Sequence, residues 1–244
     1  MKILINDKDK FVKDFLTPLS KLNESVVVKL NSESIYSLSS SGDGTLILYA
    51  SFSQKNDIKD TLKLNIPDIN KLIKVFSCIN EDNISILVDD NSINYKSDDV
   101  GFKFHLLEDG IIASPSISIE KIKKLEFDSA FEMSYTDVIS ILKGSTFTTD
   151  TDKIYFYTKD DKVYGKLTDL DRHNVDVYTQ KISDSFTGTS LSEALPLNFE
   201  TVRVICSLRF KTIKVSINTD MKVFIFDVIH DDVKLNFISS AYVS

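Results

Sequence analysis

A short stretch near the middle of the chain divides the sequence into two halves. It is Glu108-Asp-Gly-Ile-Ile-Ala-Ser-Pro-Ser-Ile-Ser-Ile-Glu-Lys-Ile-Lys-Lys124, with one glycine, one proline and four serine or alanine residues. On either side of it, the sequence follows one plan: an amphipathic segment, strands, a second amphipathic segment and further strands. We therefore predict two similar β-rich domains, residues 1–109 and 125–244, joined by a connector at 110–124.

The first half has the periodicity of two amphipathic helices, each followed by short strands. Asp7–Leu16 has helical spacing, and Pro18 is predicted to end or kink that helix. Pro67 is predicted to open a second helix, whose apolar stripe extends from Ile69 to Phe76. The predicted strands are Val26–Leu30, Ile35–Ser39, Leu46–Ala50, Thr61–Ile66, Ile84–Val88, Ile93–Lys96 and Phe102–Leu107.

The second half repeats this plan. Ser134 is a predicted N-cap with Asp137 three residues later, and Gly144 suits the C-terminal cap. The segment Phe199–Leu208 fits a helix or a strand, and Asn198 as a possible cap favours the helix. Short helices gathered on one side of antiparallel sheets make an α+β fold. The predicted strands are Leu125–Met133, Lys153–Thr158, Lys162–Thr168, Val175–Ile182, Ile213–Ile217, Val223–Val228 and Val233–Ile238.

Composition limits the class of protein. With 42% hydrophobic residues the chain can bury a core, and its net charge of −7 excludes a surface that is basic all over. One local positive face stays compatible with that charge. The N-terminus becomes charged too early for a secretory signal, and no apolar run approaches a membrane span. We expect a cytoplasmic protein, free of membranes, with Cys78 and Cys206 as buried free thiols.

No arrangement of residues predicts catalysis. The histidines His105, His173 and His230 are scattered and have no partner at metal-ligand spacing. No nucleophile elbow, Walker loop or dinucleotide fingerprint is present. The sequence therefore predicts no enzyme activity and no cofactor.

Four acidic doublets are candidates for metal ligands or for an acid–base pair. Asp169-Leu-Asp-Arg-His173 begins like a calcium loop, but Asn174 and Gln180 stand where glycine and glutamate are needed. The doublets lie between predicted strands, where aspartate favours turns. Turn chemistry is the preferred interpretation, and a carboxylate pair for acid–base work stays open. The doublets are Asp89-Asp90, Asp98-Asp99, Asp160-Asp161 and Asp231-Asp232.

Basic side chains lie on or beside the predicted helices. If the helices share one surface, that surface is positive although the protein is acidic. The alternative is that amphipathic helices ordinarily expose lysines to solvent. The residues concerned are Lys10, Lys13, Lys71, Lys74, Lys143, Arg203 and Arg209.

The duplicated plan resembles that of DNA sliding clamps, in particular the clamp of T-even-type tailed phages and, more distantly, proliferating cell nuclear antigen (PCNA). Ser134–Gly144 is similar to the third helix of that family. Leu195–Arg209, followed by a strand from Lys211, is similar to its last helix and strand. The first half matches the family in organisation more than in residues.

This resemblance implies a homotrimeric ring of two-domain chains, with antiparallel sheets outside and short helices on the inner face. The helical lysines and arginines would then contact duplex DNA without sequence specificity, because phosphate contacts carry no base code. The ring would tether the replicative polymerase for processive synthesis, in the cytoplasm of the host cell if the protein is viral.

The resemblance also implies a docking pocket for the C-terminal tails of DNA polymerase and clamp loader. The connector would form it together with the C-terminal segment, and Ile117 and Ile119 alternate as in an extended strap. Three alternatives stay open: a monomeric or dimeric clamp-like processivity factor, a β-rich virion structural or carbohydrate-binding module, and a hydrolase using aspartate clusters. The predicted pocket residues are Ile111, Pro115, Ile117, Ile119, Ile238, Tyr242 and Val243.

Overall fold

Two units, each assembled from antiparallel strands and short helices, make up the chain in a computed structural model. The first unit comprises Met1–Ile119 with His230–Leu235, and the second comprises Glu120–Ile229 with the residues from Asn236 onward. The division thus falls between Ile119 and Glu120. The structure describes residues 1–115, 117–191, 195–208, 210–230 and 232–241.

Two sheets form the framework of the first unit. Its strands are β1 (Lys2–Ile5), β2 (Val26–Leu30), β3 (Ser34–Ser40), β4 (Leu46–Ser53), β5 (Leu62–Ile66), β6 (Ile84–Asp89), β7 (Ser92–Lys96) and β8 (Gly101–His105). Neighbouring strands follow the order β1-β6-β7-β8 in one sheet and β4-β3-β2-β5 in the other. Residues alternate between buried and solvent-facing along β3 and β4, as antiparallel strands with one buried face require.

The first helical segment continues past Pro18, which corrects the predicted end. It consists of α1 (Lys8–Lys10), a π-helix (Phe11–Leu16) and α2 (Thr17–Ser20). In the π-helix, the backbone N–H of Thr17 donates to the carbonyl of Val12, five residues earlier. The Thr17 hydroxyl donates to the same carbonyl at 2.8 Å. The wider turn satisfies the backbone just before a proline that has no N–H of its own.

The second helix, α3 (Ile69–Phe76), begins two residues after Pro67. The sequence predicted Pro67 as the first helical residue. In the structure Pro67 lies one position before the N-cap instead. Asp68 caps the helix instead, because its carboxylate accepts the backbone N–H of Lys71 at 2.8 Å.

One apolar core joins both helices to both sheets of the first unit. The Phe11 ring stacks on Phe15, meets the edge of Phe52 and lies 6.4 Å from the Phe76 ring. Inward side chains of β1, β2, β5 and β6 surround these rings. Burying such side chains stabilises the fold by about 1.5–3 kcal/mol for each one.

The second unit repeats this architecture. Its strands are β9 (Ser129–Ser134), β10 (Lys153–Lys159), β11 (Lys162–Leu167), β12 (Tyr178–Ser183), β13 (Phe186–Gly188), β14 (Leu195–Asn198), β15 (Thr212–Asn218), β16 (Val223–His230) and β17 (Val233–Ser240). Of the last two strands, His230 and Val233–Leu235 belong to the first unit. One sheet has the order β12-β11-β10-β14, and in the other the order is β13-β9-β15-β16-β17. The α+β fold class with antiparallel sheets is confirmed.

Residues in the predicted connector and just after it are partly helical. A short helix, α4 (Ile119–Lys123), occupies the end of the connector, so the extended strap predicted through Ile119 is wrong there. The predicted strand Leu125–Met133 begins only at Ser129. The apolar residues Ile119 and Ile122 are three apart, which fits one helical face as well as it fits a strand.

The two longer helices of the second unit confirm their predicted N-caps. In α5 (Tyr135–Gly144), the Ser134 side chain accepts the N–H of Asp137, and the Asp137 carboxylate accepts the N–H of Ser134. The ambiguous segment is helical as α6 (Phe199–Cys206), with the Asn198 side chain accepting the N–H of Glu200 at 2.8 Å.

Gly144 has a packing role that the sequence did not predict. It is the last residue of α5, and Ser145 takes the C-cap position. A Cβ atom placed on Gly144 would lie 2.2 Å from the ring of Tyr178 in β12. Glycine therefore leaves room for an aromatic ring of the neighbouring sheet, and it is not used here for a left-handed cap.

Candidate nucleic-acid interface

Three lysines of the first unit lie exposed on neighbouring helices. Lys71 and Lys74 are three residues apart on the side of α3 opposite the buried Ile69, Leu72 and Phe76. Lys13 is exposed on the π-helix, which contacts α3. The burial of the apolar faces thus directs three ammonium groups towards solvent. Such a surface can attract phosphates without distinguishing bases.

Lys10 differs from these three lysines. Its ammonium lies 3.2 Å from the carboxylate of Asp232, and its side chain is only 16% exposed. Lys10 therefore ties the first helical segment to the stretch His230–Leu235 of the same unit. A phosphate would have to compete with that carboxylate.

Lys8 is a buried lysine that sequence reasoning missed. Its ammonium donates a hydrogen bond to the carbonyl of Ile79 just beyond α3, and it lies 3.3 Å from Asp9. The backbone N–H of Lys8 donates to the carbonyl of Asp82 at 2.7 Å. These contacts fasten the start of the first helical segment to the end of α3, so the two lysine-bearing helices keep a fixed spacing.

The predicted basic residues on α5 and α6 of the second unit differ in how free they are. Lys143 is exposed in the last turn of α5. Arg203 is exposed on α6, but its guanidinium bonds to Glu200 at 2.8 Å and lies 4.9 Å from the centre of the Phe199 ring. Arg209, the remaining predicted contact, lies outside the described residues. The short helix α4 also carries the exposed Lys121, so within the described residues exposed basic side chains occur on helices of both units.

Residues predicted to bind partner tails differ in accessibility. Ile111 is 60% exposed, and Pro115 and Ile117 are partly exposed. Ile238 is only 6% exposed within β17, which makes it a core residue of its strand. The side chain of Ile119, and the residues Tyr242 and Val243, lie outside what the structure describes.

A further apolar surface in the first unit escaped the sequence analysis. Tyr36 and Leu38 on β3, and Ile47 and Tyr49 on β4, point away from the core and are half-buried. The rings of Tyr36 and Tyr49 lie 6.5 Å apart. The signal was present in the strand alternation, because the outward positions are apolar where a solvated face would be polar.

The calcium-like segment at Asp169 binds a lysine of the same chain. Lys153 is buried at the start of β10, with its ammonium 2.9 Å from Asp169 and 2.8 Å from Asp171. These hydrogen bonds raise the pKa of Lys153 above its ordinary value and hold the pKa of Asp169 below its own. The two carboxylates that would begin a calcium loop are thus already neutralised by an internal cation.

The other metal and thiol candidates take ordinary structural roles. Asp160 and Asp161 form the turn between β10 and β11 with positive φ angles of 50° and 57°. Within the described ranges, no group of three or more potential ligands is placed to hold a metal ion. Burial raises the pKa of the Cys206 thiol to about 12. Cys78 is exposed after α3, which corrects its predicted burial.

The described fold is that of the PCNA sliding clamps. PCNA from Thermococcus kodakaraensis matches with a TM-score of 0.78 and 13% identity, covering 99% of each chain. PCNA from Entamoeba histolytica matches at 0.77 with 12% identity, covering 99% of this chain and 98% of that chain. A. fulgidus PCNA, solved with the C-terminal region of FEN-1 bound, matches at 0.77 with 11% identity, covering 100% and 98%. The chain therefore resembles sliding clamps over its whole length.

The likeness lies in the structure and not in the sequence. No protein-family model matches the chain, and no curated protein matches it. The helices in the described part of the chain are too short or too polar to span a bilayer.

Replacing Lys153 by methionine should destabilise the second unit, because it leaves Asp169, whose side chain is only 13% exposed, without its cation. We expect the thermal midpoint to fall by roughly 5 °C near pH 7 in a calorimetric scan. Lys211→Met, which removes an exposed lysine, serves as the matched control and should change the midpoint little.

The pH dependence of the stability difference between the native protein and Lys153→Met follows from the sign of each pKa shift. Asp169 has a lowered pKa, so its contribution is complete above its unfolded pKa of about 3.9 and is lost as pH falls through the lower folded value. Lys153 has a raised pKa, so its contribution is lost only at alkaline pH. The stability gap between native protein and Lys153→Met should therefore close in acid, and an unchanged gap at pH 2 would contradict the assignment.

Proposed function

We propose that this chain is a DNA sliding clamp, a non-enzymatic ring that encircles duplex DNA and tethers a replicative polymerase. The observation that carries this proposal is the PCNA-type fold over the full length of the chain. The exposed lysines on adjacent helices of the first unit support it, since a protein that slides needs phosphate contacts without base recognition. Action in a T-even-type phage replisome rests on the sequence resemblance alone and stays a prediction.

Unpaired sheet edges support assembly into a ring. Within the described residues, β8 ends one sheet of the first unit, and β12 ends one sheet of the second. Each edge has a row of backbone N–H and C=O groups with no neighbouring strand, which is a template for pairing with another copy. We propose that β8 of one copy pairs with β12 of the next. Such a head-to-tail contact closes into a ring when the rotation between copies closes, and we expect a homotrimer.

The assembly state tests this proposal directly. The monomer mass is 27.6 kDa, so a homotrimer is expected to sediment as a particle of three times that mass. The ring should also be retained on nicked circular DNA and lost when the same DNA is cut to a linear form. A strict monomer with equal retention on both would overturn the ring and favour a clamp-like factor that does not encircle DNA.

Reversing the charges of Lys71 and Lys74 should weaken duplex contact without affecting assembly. Both lysines are exposed, so Lys71→Glu with Lys74→Glu is compatible with the fold. The plot of log affinity against log salt should become shallower by about 1.8 for each subunit that contacts DNA, since each phosphate contact contributes about 0.9. Binding to a short duplex, measured by fluorescence anisotropy across a salt series, gives this slope.

A control with the same change in charge separates local contact from net charge. Lys55 and Lys59 are exposed in the segment between β4 and β5. Lys55→Glu with Lys59→Glu should leave the slope close to that of the native protein. Equal effects of both pairs would show that DNA responds to overall charge and not to the helical surface.

We further propose that partner tails dock on apolar side chains of the first unit. Among the predicted pocket residues whose side chains the structure describes, Ile111 is the most exposed, and Ile117 is partly exposed. The half-buried face formed by Tyr36, Leu38 and Tyr49 offers additional apolar surface in the same unit. Exposed apolar surface of this kind marks interaction sites, because solvated strand faces are ordinarily polar. Binding of polymerase and clamp-loader tails here extends the proposal beyond DNA contact.

Changing Ile111 and Ile117 to aspartate should weaken tail binding more than DNA encirclement. A fluorescent peptide from the C-terminus of the polymerase encoded by the same genome is the probe. We expect at least tenfold weaker binding, since an apolar side chain contributes about 1.5–3 kcal/mol when it is buried. Leu170→Asp, at an exposed leucine of the second unit, is the control. Loss of assembly in Ile111→Asp with Ile117→Asp would instead make the connector a structural element first.

A further inference from the structure

The outward face of the sheet β12-β11-β10-β14 combines tyrosines with lysines. Ile154, Phe156, Val163 and Leu167 are buried on the inner face of this sheet. The residues between them point outward and pair across the strands, as the register shows. The outward positions with an aromatic or basic side chain are Lys153, Tyr155, Tyr157 and Lys159 on β10, Lys162, Tyr164 and Lys166 on β11, and Lys181 on β12.

Tyr157 and Tyr164 form the centre of this surface. They lie directly opposite each other on β10 and β11. Their rings are 5.5 Å apart between centroids with an angle of 19° between planes, and both side chains are only half-buried. Tyr155 is buried and its hydroxyl accepts the N–H of Leu170, so it belongs to the fold and not to the open surface. The accessible aromatic pair, whose rings stack on each other and leave their outer faces for a ligand, is the platform on two central strands.

The lysines beside the platform include two that lie opposite each other on neighbouring strands. Lys159 and Lys162 lie directly opposite each other, where two like charges destabilise a sheet. Among the described residues, Lys159, Lys162 and Lys166 take part in no ion pair within 4.0 Å. Asp160 and Asp161 lie in the turn beyond the end of the face. An anion bound across the lysines would relieve their repulsion.

Lys181 extends the basic surface towards the third strand. It lies opposite Tyr164, and its ammonium pairs with Asp184, which follows β12. The ammonium group of Lys153, in contrast, is already paired with Asp169 and Asp171. The charge available to a ligand thus comes from Lys159 and Lys166, while Lys162 and Lys181 also interact with Asp184.

We propose that this tyrosine–lysine face binds single-stranded nucleic acid, in addition to the duplex contact proposed for the helices. Aromatic side chains on central strands of a four-stranded antiparallel sheet stack unpaired bases, and lysines beside them attract the phosphates. A duplex cannot use this platform because its bases are already stacked. Two or three nucleotides fit the width of such a sheet. Binding needs no base-specific hydrogen bond and is therefore tolerant of sequence.

Fluorescently labelled oligo(dT) of 12 nucleotides is the probe, added to the full-length protein in its native assembly. We expect anisotropy to rise at 50 mM salt and to fall steeply as salt increases. Lys159→Glu with Lys162→Glu should weaken binding at least tenfold and make the salt dependence shallower by about 1.4, since each contact to a single strand contributes about 0.7. Tyr164→Leu, which keeps apolar cover on the sheet but removes the stacking ring, should weaken binding by roughly five- to a hundredfold.

Controls make failure of this proposal distinct from failure of the clamp proposal. Lys29→Glu changes an exposed lysine that also lies opposite a tyrosine, Tyr36, in the first unit, and should leave oligo(dT) binding unchanged. Lys71→Glu with Lys74→Glu should impair duplex retention and spare oligo(dT). The Lys159→Glu with Lys162→Glu pair should do the reverse. A circular dichroism melt checks that Tyr164→Leu is folded, and the exposed lysine pair remains decisive if it is not.

Three results would overturn the proposal. One is the absence of oligo(dT) binding at 50 mM salt. Another is an equal loss of binding in Lys71→Glu with Lys74→Glu, which changes the charge by the same amount as Lys159→Glu with Lys162→Glu and would show that the face itself does not matter. The third is tyrosine-independent binding that a polyglutamate peptide displaces as well as oligo(dT) does, which would assign the face to an acidic protein segment.

Discussion

The burial of one side of each helix is the constraint on which this structure depends. Ile69, Leu72 and Phe76 must face the sheets of the first unit, because the core contains the Phe11, Phe15 and Phe52 rings against which they pack. With a helical period of 3.6, this fixes Lys71 and Lys74 on the opposite side. The positive surface is therefore a geometrical consequence of core packing. An acidic protein can thus present a cationic helix pair without any additional element to hold it.

The same dependence explains which parts of the fold were predictable from sequence. Periodicity and caps are local, so the strand β2, the Ser134 capping box and the helix after Asn198 follow from neighbouring residues. Errors occur where a tertiary contact outweighs a local rule. The first helical segment continues through Pro18 because a π-turn satisfies the backbone around it. The second helix begins after Asp68, and not at Pro67, because the Asp68 side chain caps it. The short strands β1 and β13 had too few residues to show a period.

In the candidate site, the sequence predicted which lysines are exposed but not which carboxylates they pair with. Helical spacing identifies Lys13, Lys71 and Lys74 as solvent-facing, but it cannot show that Lys10 meets Asp232, 222 residues away. Lys153 is a second contact of this kind, since nothing nearby in sequence marks it as the partner of Asp169 and Asp171. The tyrosine–lysine face depends on strand register, which sequence alternation suggests for one strand but cannot align between two. Pairwise electrostatics and cross-strand neighbours are thus properties of the fold, and only exposure is a property of the local sequence.

The close contact between Tyr178 and Gly144 has a mechanical consequence. Tyr178 belongs to the edge strand β12, and its hydroxyl lies 3.0 Å from the side-chain oxygen of Gln180 and 3.4 Å from the carbonyl of Ser140, one turn before Gly144 in α5. The missing Cβ lets the ring approach the helix backbone, so β12 cannot shift against α5 unless the ring of Tyr178 moves as well. Strain at an outer edge and the position of Lys143 are in this way physically linked.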